Sequence, residues 1–451
     1  MQCIHYCGFW DATVWTVKII RIDEGFAPAG EKQSIMNPAD TESPTAPSSW
    51  PAGNFSRIPA WAYTDKDVYQ KELDRFFYGP HWSYVGLEAE IPEAGSFKRT
   101  KIGERSVIMV RHRSGAVHVL ENRCAHRGMR FCQERHGKAR SFTCPYHQWT
   151  YNLEGKLLGV PFRNGVKGKG GMDKDFQLED HGLSKLKVAV RNGVVFASFS
   201  EDVPSFEDYV GPTVLPWFDR TFDGRKLVLH GYSRQRIPGN WKLMLETIKD
   251  PYHPGLLHTW FVTFGLWRAD QQSTLLMDDH GRHACMISQR NEGGKADVTE
   301  GVTSFRENMK LNDPSFLDIV PEPWWGGPTV CMITLFPSVI LQQQVNCLST
   351  RQIIPCGPDA FDFVWTHFGF EEDTPEMHER RLRLANLFGP GGFVSADDGE
   401  VVEMSQDGFH HDPAFTTVCE LDGTKIGNTD HNVSETLIRG MYRYWREVME
   451  L

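Results

Sequence analysis

The stretches Cys124-Ala125-His126 and Cys144-Pro145-Tyr146-His147 decide the reading of this chain. They form C-x-H, seventeen residues, then C-x2-H, each pair beside turn residues in a β-rich region, where two loops can pinch a metal centre between them. Two thiolates and two imidazoles suit a tetrahedral structural zinc or a [2Fe–2S] cluster with both cysteines on one iron and both histidines on the other. The cluster needs one Cys and one His from each loop, whereas zinc sites more often show C-x2-C or H-x3-H pairs. The spacing favours iron–sulfur. Replacing two thiolates by neutral imidazoles removes negative charge and raises the potential to roughly −150 to +300 mV, from about −400 mV. Cys132 and His136 lie between the pairs and read as structural, since enlisting them would leave a flanking pair unused.

A centre that only moves electrons calls for a place to deliver them. NWKLMLETIKDPYHPGLLHTWF (240–261) holds Asp250, His253 and His258 in the spacing D-x2-H-x4-H. On a regular helix five residues rotate about 500°, which would leave the two histidines roughly 140° apart. They can share a metal only if the helix breaks between them, and Pro254-Gly255 supplies the break. Two histidines and one carboxylate make a facial triad that leaves one side of an iron open. The best source of the carboxylate is GPGGFVSADDGEVVE (389–403), although Asp397, Asp398 and Glu400 could equally solvate a turn.

Composition sets the outer limits. The 451 residues exceed one ordinary core, and 40% hydrophobic with 24% charged residues is ordinary for a globular chain. A net charge of −10 argues against a nucleic-acid footprint. No run approaches eighteen apolar residues, and the N-terminus lacks a basic region followed by an apolar one, so neither a membrane span nor a secretory signal is expected. Ten unevenly spread cysteines are no disulfide scaffold in a chain this long and fit a reduced, cytoplasmic setting.

Along the chain, residues 1–53 read as a disordered or loosely packed extension, with a Pro/Ser/Thr-rich stretch from Met36. Residues 54–80 hold a helix, with Thr64 and Asp67 as a capping box and Val68, Leu73, Phe76 and Phe77 as the apolar face. Residues 81–200 read as β, with hairpins about Ser114-Gly115 and Asn192-Gly193. Residues 201–451 mix helices (240–248, 379–388 and a C-terminal stripe of Leu437, Ile438, Met441, Tyr444, Trp445 and Val448) with strands at 331–345 and 361–370. The fold class is α+β: a small β domain, then a larger mixed one.

The motifs CAHRGMRFC (124–132) and CPYHQWTYNLEGKLLGVP (144–161), with the 240–261 and 389–403 stretches, resemble the large subunits of Rieske-type non-haem iron ring-hydroxylating oxygenases. The resemblance covers about residues 55–451 and implies an all-β Rieske domain plus a helix-grip-like catalytic domain with an antiparallel sheet. It implies a [2Fe–2S] cluster on Cys124, His126, Cys144 and His147, and a mononuclear Fe(II) on His253, His258 and Asp398. Asp250 would bridge the cluster of one subunit to the iron of its neighbour. Many relatives have Asn where this chain has Thr247, so no role is assigned there.

The stretches 264–273, 277–288, 312–329 and 435–449 are similar to the branch of the family that acts on aromatic acids, which implies hydroxylation of salicylate to gentisate with O2. A dioxygenase of anthranilate or another substituted benzoate is the alternative. An electron-transfer or zinc-stabilised binding module is the reading from another class. Arg268 and Gln343 are the candidate substrate contacts, although Arg268 pairs as readily with Asp270 or Asp278. With no G-x-G-x-x-G after a strand, NADH would act only through a separate reductase and ferredoxin. The family also implies a small β subunit in an α3β3 assembly.

Overall fold

The computed structural model describes residues 50, 53–268, 270–290 and 302–451. Most of the expected N-terminal extension therefore lies outside the described residues. Trp50, assigned to that extension, is instead buried against Trp61, Tyr442 and Trp445, with ring centroids 5.6–5.8 Å apart. An indole that finds three aromatic neighbours leaves the low-complexity stretch and joins the core.

The chain enters through helices α1 (Trp61–Thr64) and α2 (Lys66–Glu72). The cap of α2 is Asp65, not Thr64: its carboxylate accepts from the Asp67 and Val68 amides at 2.8 and 2.9 Å. A carboxylate there satisfies two orphan donors and favours the helix dipole.

Ten short strands follow: β1 (Ser83–Leu87), β2 (Ser96–Ile102), β3 (Arg105–Arg111), β4 (Val117–Glu121), β5 (His136–Lys138), β6 (Phe142–Thr143), β7 (Thr150–Tyr151), β8 (Leu157–Gly159), β9 (Lys187–Arg191) and β10 (Val194–Ser198). They form antiparallel sheets of order β1-β10-β9, β4-β3-β2-β5 and β6-β7-β8. The β9–β10 hairpin turns on Asn192 and Gly193 at φ 49° and 84°, the two left-handed positions that an Asn-Gly pair supplies. The β3–β4 hairpin turns at Ser114-Gly115 as the sequence indicates.

The larger part contains α3 (Phe206–Thr221), β11 (Leu227–Pro238), α4 (Trp241–Lys249), α5 (Thr259–Thr263), β12 (Ser273–Met277), β13 (Ala284–Ser288), β14 (Val330–Leu335), β15 (Val339–Gln344), β16 (Cys347–Pro355), β17 (Ala360–Phe370), α6 (Pro375–Phe388), α7 (Ser395–His411) and α8 (Thr436–Met449). Its seven strands make one antiparallel sheet, β11-β17-β16-β15-β14-β13-β12. The apolar run 331–345 is not one strand. Phe336-Pro337-Ser338 folds it into the β14–β15 hairpin, because a proline cannot donate to a ladder.

Strand alternation gives the sheet two working faces. Leu341 and Leu348 point to one face and pack with Val214 and Phe218 of α3. Ile340, Ile353 and Trp365 point to the other and pack with Trp241 and Met244 of α4 and Met441 and Trp445 of α8. A buried knot locks these helices together: Glu72 accepts from the indoles of Trp241 (2.8 Å) and Trp445 (2.7 Å) and pairs with Lys242 at 2.7 Å. Removing one partner of so buried a pair costs about 3–5 kcal/mol. The orientation of α4, and of the loop after it, is thereby fixed.

Candidate metal centres

The first two loops fold alike. The Cys124 amide donates to the Met129 carbonyl and the Gly128 amide to the Cys124 carbonyl; twenty residues on, the Cys144 amide donates to Trp149 and the Gln148 amide to Cys144, all at 2.8–2.9 Å. Gly128 and Gln148 occupy matching left-handed positions, at φ 69° and 58°. Each turn sends its cysteine inward and its histidine outward: both cysteines are buried, while His126 and His147 are half-exposed. The imidazole centroids lie 4.6 Å apart, and His126 stacks on Trp149 at 4.7 Å.

These donors fit a two-iron cluster. The two cysteines are buried at one end and the two imidazoles stand together at the other, and a [2Fe–2S] unit likewise separates its thiolate end from its imidazole end. His147 Nδ1 is buried without a hydrogen-bond partner. The Tyr151 hydroxyl lies 3.2 Å from Cys124 Sγ. Cys132 and His136 face elsewhere: Cys132 is held by Asn122 through its backbone, and His136 Nε2 meets the Tyr232 hydroxyl at 3.0 Å.

The second site is built where α4 stops. Asp250 ends the helix, His253–Gly255 forms a single 3-10 turn, and His258 immediately precedes α5. The break at Pro254-Gly255 thus brings two histidines together that a continuous helix would hold apart. Gly255 is required for a further reason: a Cβ there would stand 2.0 Å from the Trp267 ring, which lies across the turn and donates to the Pro251 carbonyl at 2.9 Å.

Asp398 arrives from the first turn of α7. Its Oδ1 lies 3.5 Å from His253 Nε2 and 3.2 Å from His258 Nε2, yet forms no hydrogen bond of acceptable geometry. Atoms about 2.1 Å from one ion and roughly 90° apart are separated by about 3 Å. The three donors therefore face a common point and fit a metal ion. Their outer atoms are pinned: His253 Nδ1 meets the Asp250 carbonyl at 2.7 Å, and His258 Nδ1 meets Asp397 Oδ2 at 3.1 Å, the usual way a protein orients ligating imidazoles. Burial pulls His253 down, but Asp250 and Asp398 outweigh it and hold the ring up at about 10. Burial raises Asp398, but the two histidines bring it below the usual carboxylate range. The site favours a positive charge at its centre.

The Asp250 side chain is partly exposed. Its Oδ1 accepts from the Tyr252 and His253 amides at 3.1 and 3.3 Å, and Oδ2 lies 3.7 Å from His253 Nδ1. Thr247 bonds back to the Leu243 carbonyl on the pocket wall.

The triad opens on a pocket with an apolar side, formed by Phe261, Leu266, Trp267, Met286, Met332 and Val394, and with Thr247, Gln271, Ser288 and Asn432 as further polar lining. Neither candidate substrate contact lines it. Arg268 forms a two-pronged pair with Asp270 at 2.8 Å. Gln343 points to the opposite sheet face, where it donates to the Thr329 and Val345 carbonyls and accepts from Arg220. Gln344 and Arg351 line the pocket instead. The period of two separates Gln343 from Gln344 in the sequence, but which face meets the site depends on the neighbouring strands.

A Rieske-type two-loop centre, and a triad of two histidines and one aspartate under a seven-stranded antiparallel sheet, define an iron oxygenase. Residues 219–451 match the ring hydroxylating alpha subunit (catalytic domain) family and residues 81–169 the Rieske [2Fe-2S] domain; the chain belongs to the Rieske non-haem iron ring-hydroxylating oxygenase alpha subunits. It is 67% identical over 405 residues to the salicylate 5-hydroxylase large oxygenase component of Ralstonia sp, covering 89% of this chain and 96% of that one. It is 40% identical to the anthranilate 1,2-dioxygenase large subunit of Burkholderia cepacia, covering 89% and 95%. The fold matches naphthalene 1,2-dioxygenase from Rhodococcus sp. with a TM-score of 0.73 at 23% identity, over 87% of this chain and 94% of that one. Among the described residues no helix is long and apolar enough to cross a membrane.

Proposed function

We propose that this chain is the terminal oxygenase that hydroxylates salicylate at the 5-position: salicylate, O2, NADH and a proton give gentisate, water and NAD+. Cys124, His126, Cys144 and His147 hold the [2Fe–2S] cluster, and His253, His258 and Asp398 hold one Fe(II). The iron, when bound, supplies the O2 activation. The convergence of His253, His258 and Asp398 on the wall of an apolar pocket carries the oxygenase reading, and the 67% identical relative supplies the substrate.

The protein's own side chains then have defined tasks. Asp397 and the Asp250 carbonyl fix the imidazole tautomers, leaving both Nε2 lone pairs for the iron. The apolar walls hold an aromatic ring and exclude bulk water. The half-exposed histidine edge of the cluster takes electrons from a ferredoxin, itself reduced by an NADH-dependent reductase. A small β subunit completes an α3β3 assembly, in which Asp250 links His253 to the cluster of the neighbouring subunit.

The test is reconstitution with small subunit, ferredoxin and reductase, followed by product analysis on salicylate, benzoate and anthranilate. Gentisate carrying one atom of labelled O2 is the expected product. Preferential conversion of anthranilate or benzoate to a dihydroxylated product would replace this reading with the dioxygenase one.

A further inference from the structure

A further group of ligating side chains lies in the Rieske domain and uses none of the cluster's donors. His112, His118 and Glu154 each place one donor atom within 4.8 Å of the other two. Two loops bring them together. His118 lies on β4 opposite Val110 of β3, and His112 follows Val110 by two positions, its amide continuing the ladder to the Ala116 carbonyl. Strand alternation therefore puts both rings on one face of the hairpin, with centroids 5.6 Å apart. Glu154 comes from the turn between β7 and β8. There the Asn152 side chain accepts from the Glu154 and Lys156 amides, both at 2.9 Å, and fixes the turn.

The donor atoms face the gap between the two loops. Glu154 divides its oxygens: Oε2 pairs with Lys156 at 3.3 Å, while Oε1 faces His112 Nε2 at 3.8 Å, too long for a hydrogen bond. His112 Nδ1 lies 2.8 Å from the Ser114 hydroxyl and 3.2 Å from the Ser114 amide. With Nδ1–H donated to the hydroxyl, Nε2 keeps its lone pair for an ion. Burial, with the Lys185 charge, holds His118 below its ordinary value, so its ring is neutral near pH 7, the form that ligates. Donors about 2.0 Å from one tetrahedral zinc stand about 3.3 Å apart. Half-exposed side chains on two loops reach that spacing by small rotations.

We infer that His112, His118 and Glu154 form a divalent-metal site of the zinc class, built from other residues than either iron centre. Two imidazoles and one carboxylate suit Zn2+, with the fourth position left to water; magnesium and calcium prefer oxygen ligands throughout. The ion joins the β3–β4 hairpin to the β7–β8 turn. Strand β7 carries Tyr151, whose hydroxyl meets Cys124, so the ion braces the part of the domain that holds the cluster and takes no part in oxygen chemistry.

Zinc titration of the iron-loaded oxygenase in chelator-buffered solution tests this, with iron content and cluster absorbance followed throughout. Wild type is expected to take up one zinc per chain without losing iron, and to take up no magnesium. His118→Ala and Glu154→Gln should each weaken zinc binding by about 10-fold or more, the loss typical even for the hydrogen-bond partner of a ligand. Both changes fall on half-exposed side chains, so cluster absorbance before zinc is added should match wild type. Zinc uptake that is absent, or that occurs only in step with iron release, overturns the site. So does a zinc affinity left unchanged by either substitution, and so does equal binding of zinc and magnesium.

Discussion

His253 Nδ1 lies 2.7 Å from the main-chain carbonyl of Asp250, not from its carboxylate, which stands 3.7 Å away. The backbone thus sets the tautomer of the ring, and the carboxylate is left with two other tasks. It caps the turn through the Tyr252 and His253 amides, and its second oxygen stands beside the imidazole in a side chain that is 19% exposed.

This separation makes Asp250→Asn informative. Asn keeps an oxygen for the turn but loses the charge, so both metal centres should survive and ferredoxin should still reduce the cluster. Product formation is expected to fall about 100-fold, the upper range for a partner of a metal ligand. Metal analysis beside product quantification checks it. Near-normal turnover would leave Asp250 as a turn residue only.

His258 is 1% exposed and faces Asp398 directly. His258→Ala should empty the mononuclear site, so that iron content falls by about one third while acid-labile sulfide and cluster absorbance stay constant. Loss of the cluster along with the iron would show that the two sites do not fold independently.

His126 is half-exposed and stacked on Trp149. His126→Cys restores thiolate charge at the cluster and should lower its midpoint potential by on the order of 100 mV or more. A redox titration followed by electron paramagnetic resonance measures this. An unchanged midpoint would remove His126 from the ligand set.

Acid sensitivity should come in part from His81, which belongs to neither metal site. It is buried with Nε2 2.7 Å from the Tyr444 hydroxyl, and burial, with the nearby Arg282 charge, pushes it down to about 3. The unfolded chain takes up this proton near pH 6.5 and the folded one does not. Stability is therefore fully present above about pH 6.5 and is lost as pH falls toward 3, by about 1.4 kcal/mol per pH unit. Urea unfolding at pH 7.5, 6.5 and 5.5 should show a shallower pH slope for His81→Gln than for wild type. Equal slopes would mean that His81 is not kept neutral by the fold.

The sequence by itself determined whatever is settled within a few residues of backbone. Pro254-Gly255 had to break the helix between His253 and His258, Asn192-Gly193 had to turn a hairpin, and two C-x-H-like loops had to present sulfur and imidazole together. The apolar stripe of α8 was equally legible, since five of its six named residues are buried. Tertiary structure alone decided what depends on partners far along the chain. Arg268 and Arg351 are both arginines near aromatic residues; one is neutralised by Asp270 two residues away, while the other is carried by strand register onto the pocket wall. Gln343 and Gln344 differ by one position and therefore by a whole sheet face. The Asp65 cap and the packing of Trp50 follow the same rule. Local dihedral preferences fix the shape of a loop or helix end, but the direction in which a side chain finds its site is fixed only when the neighbouring strand or helix is in place.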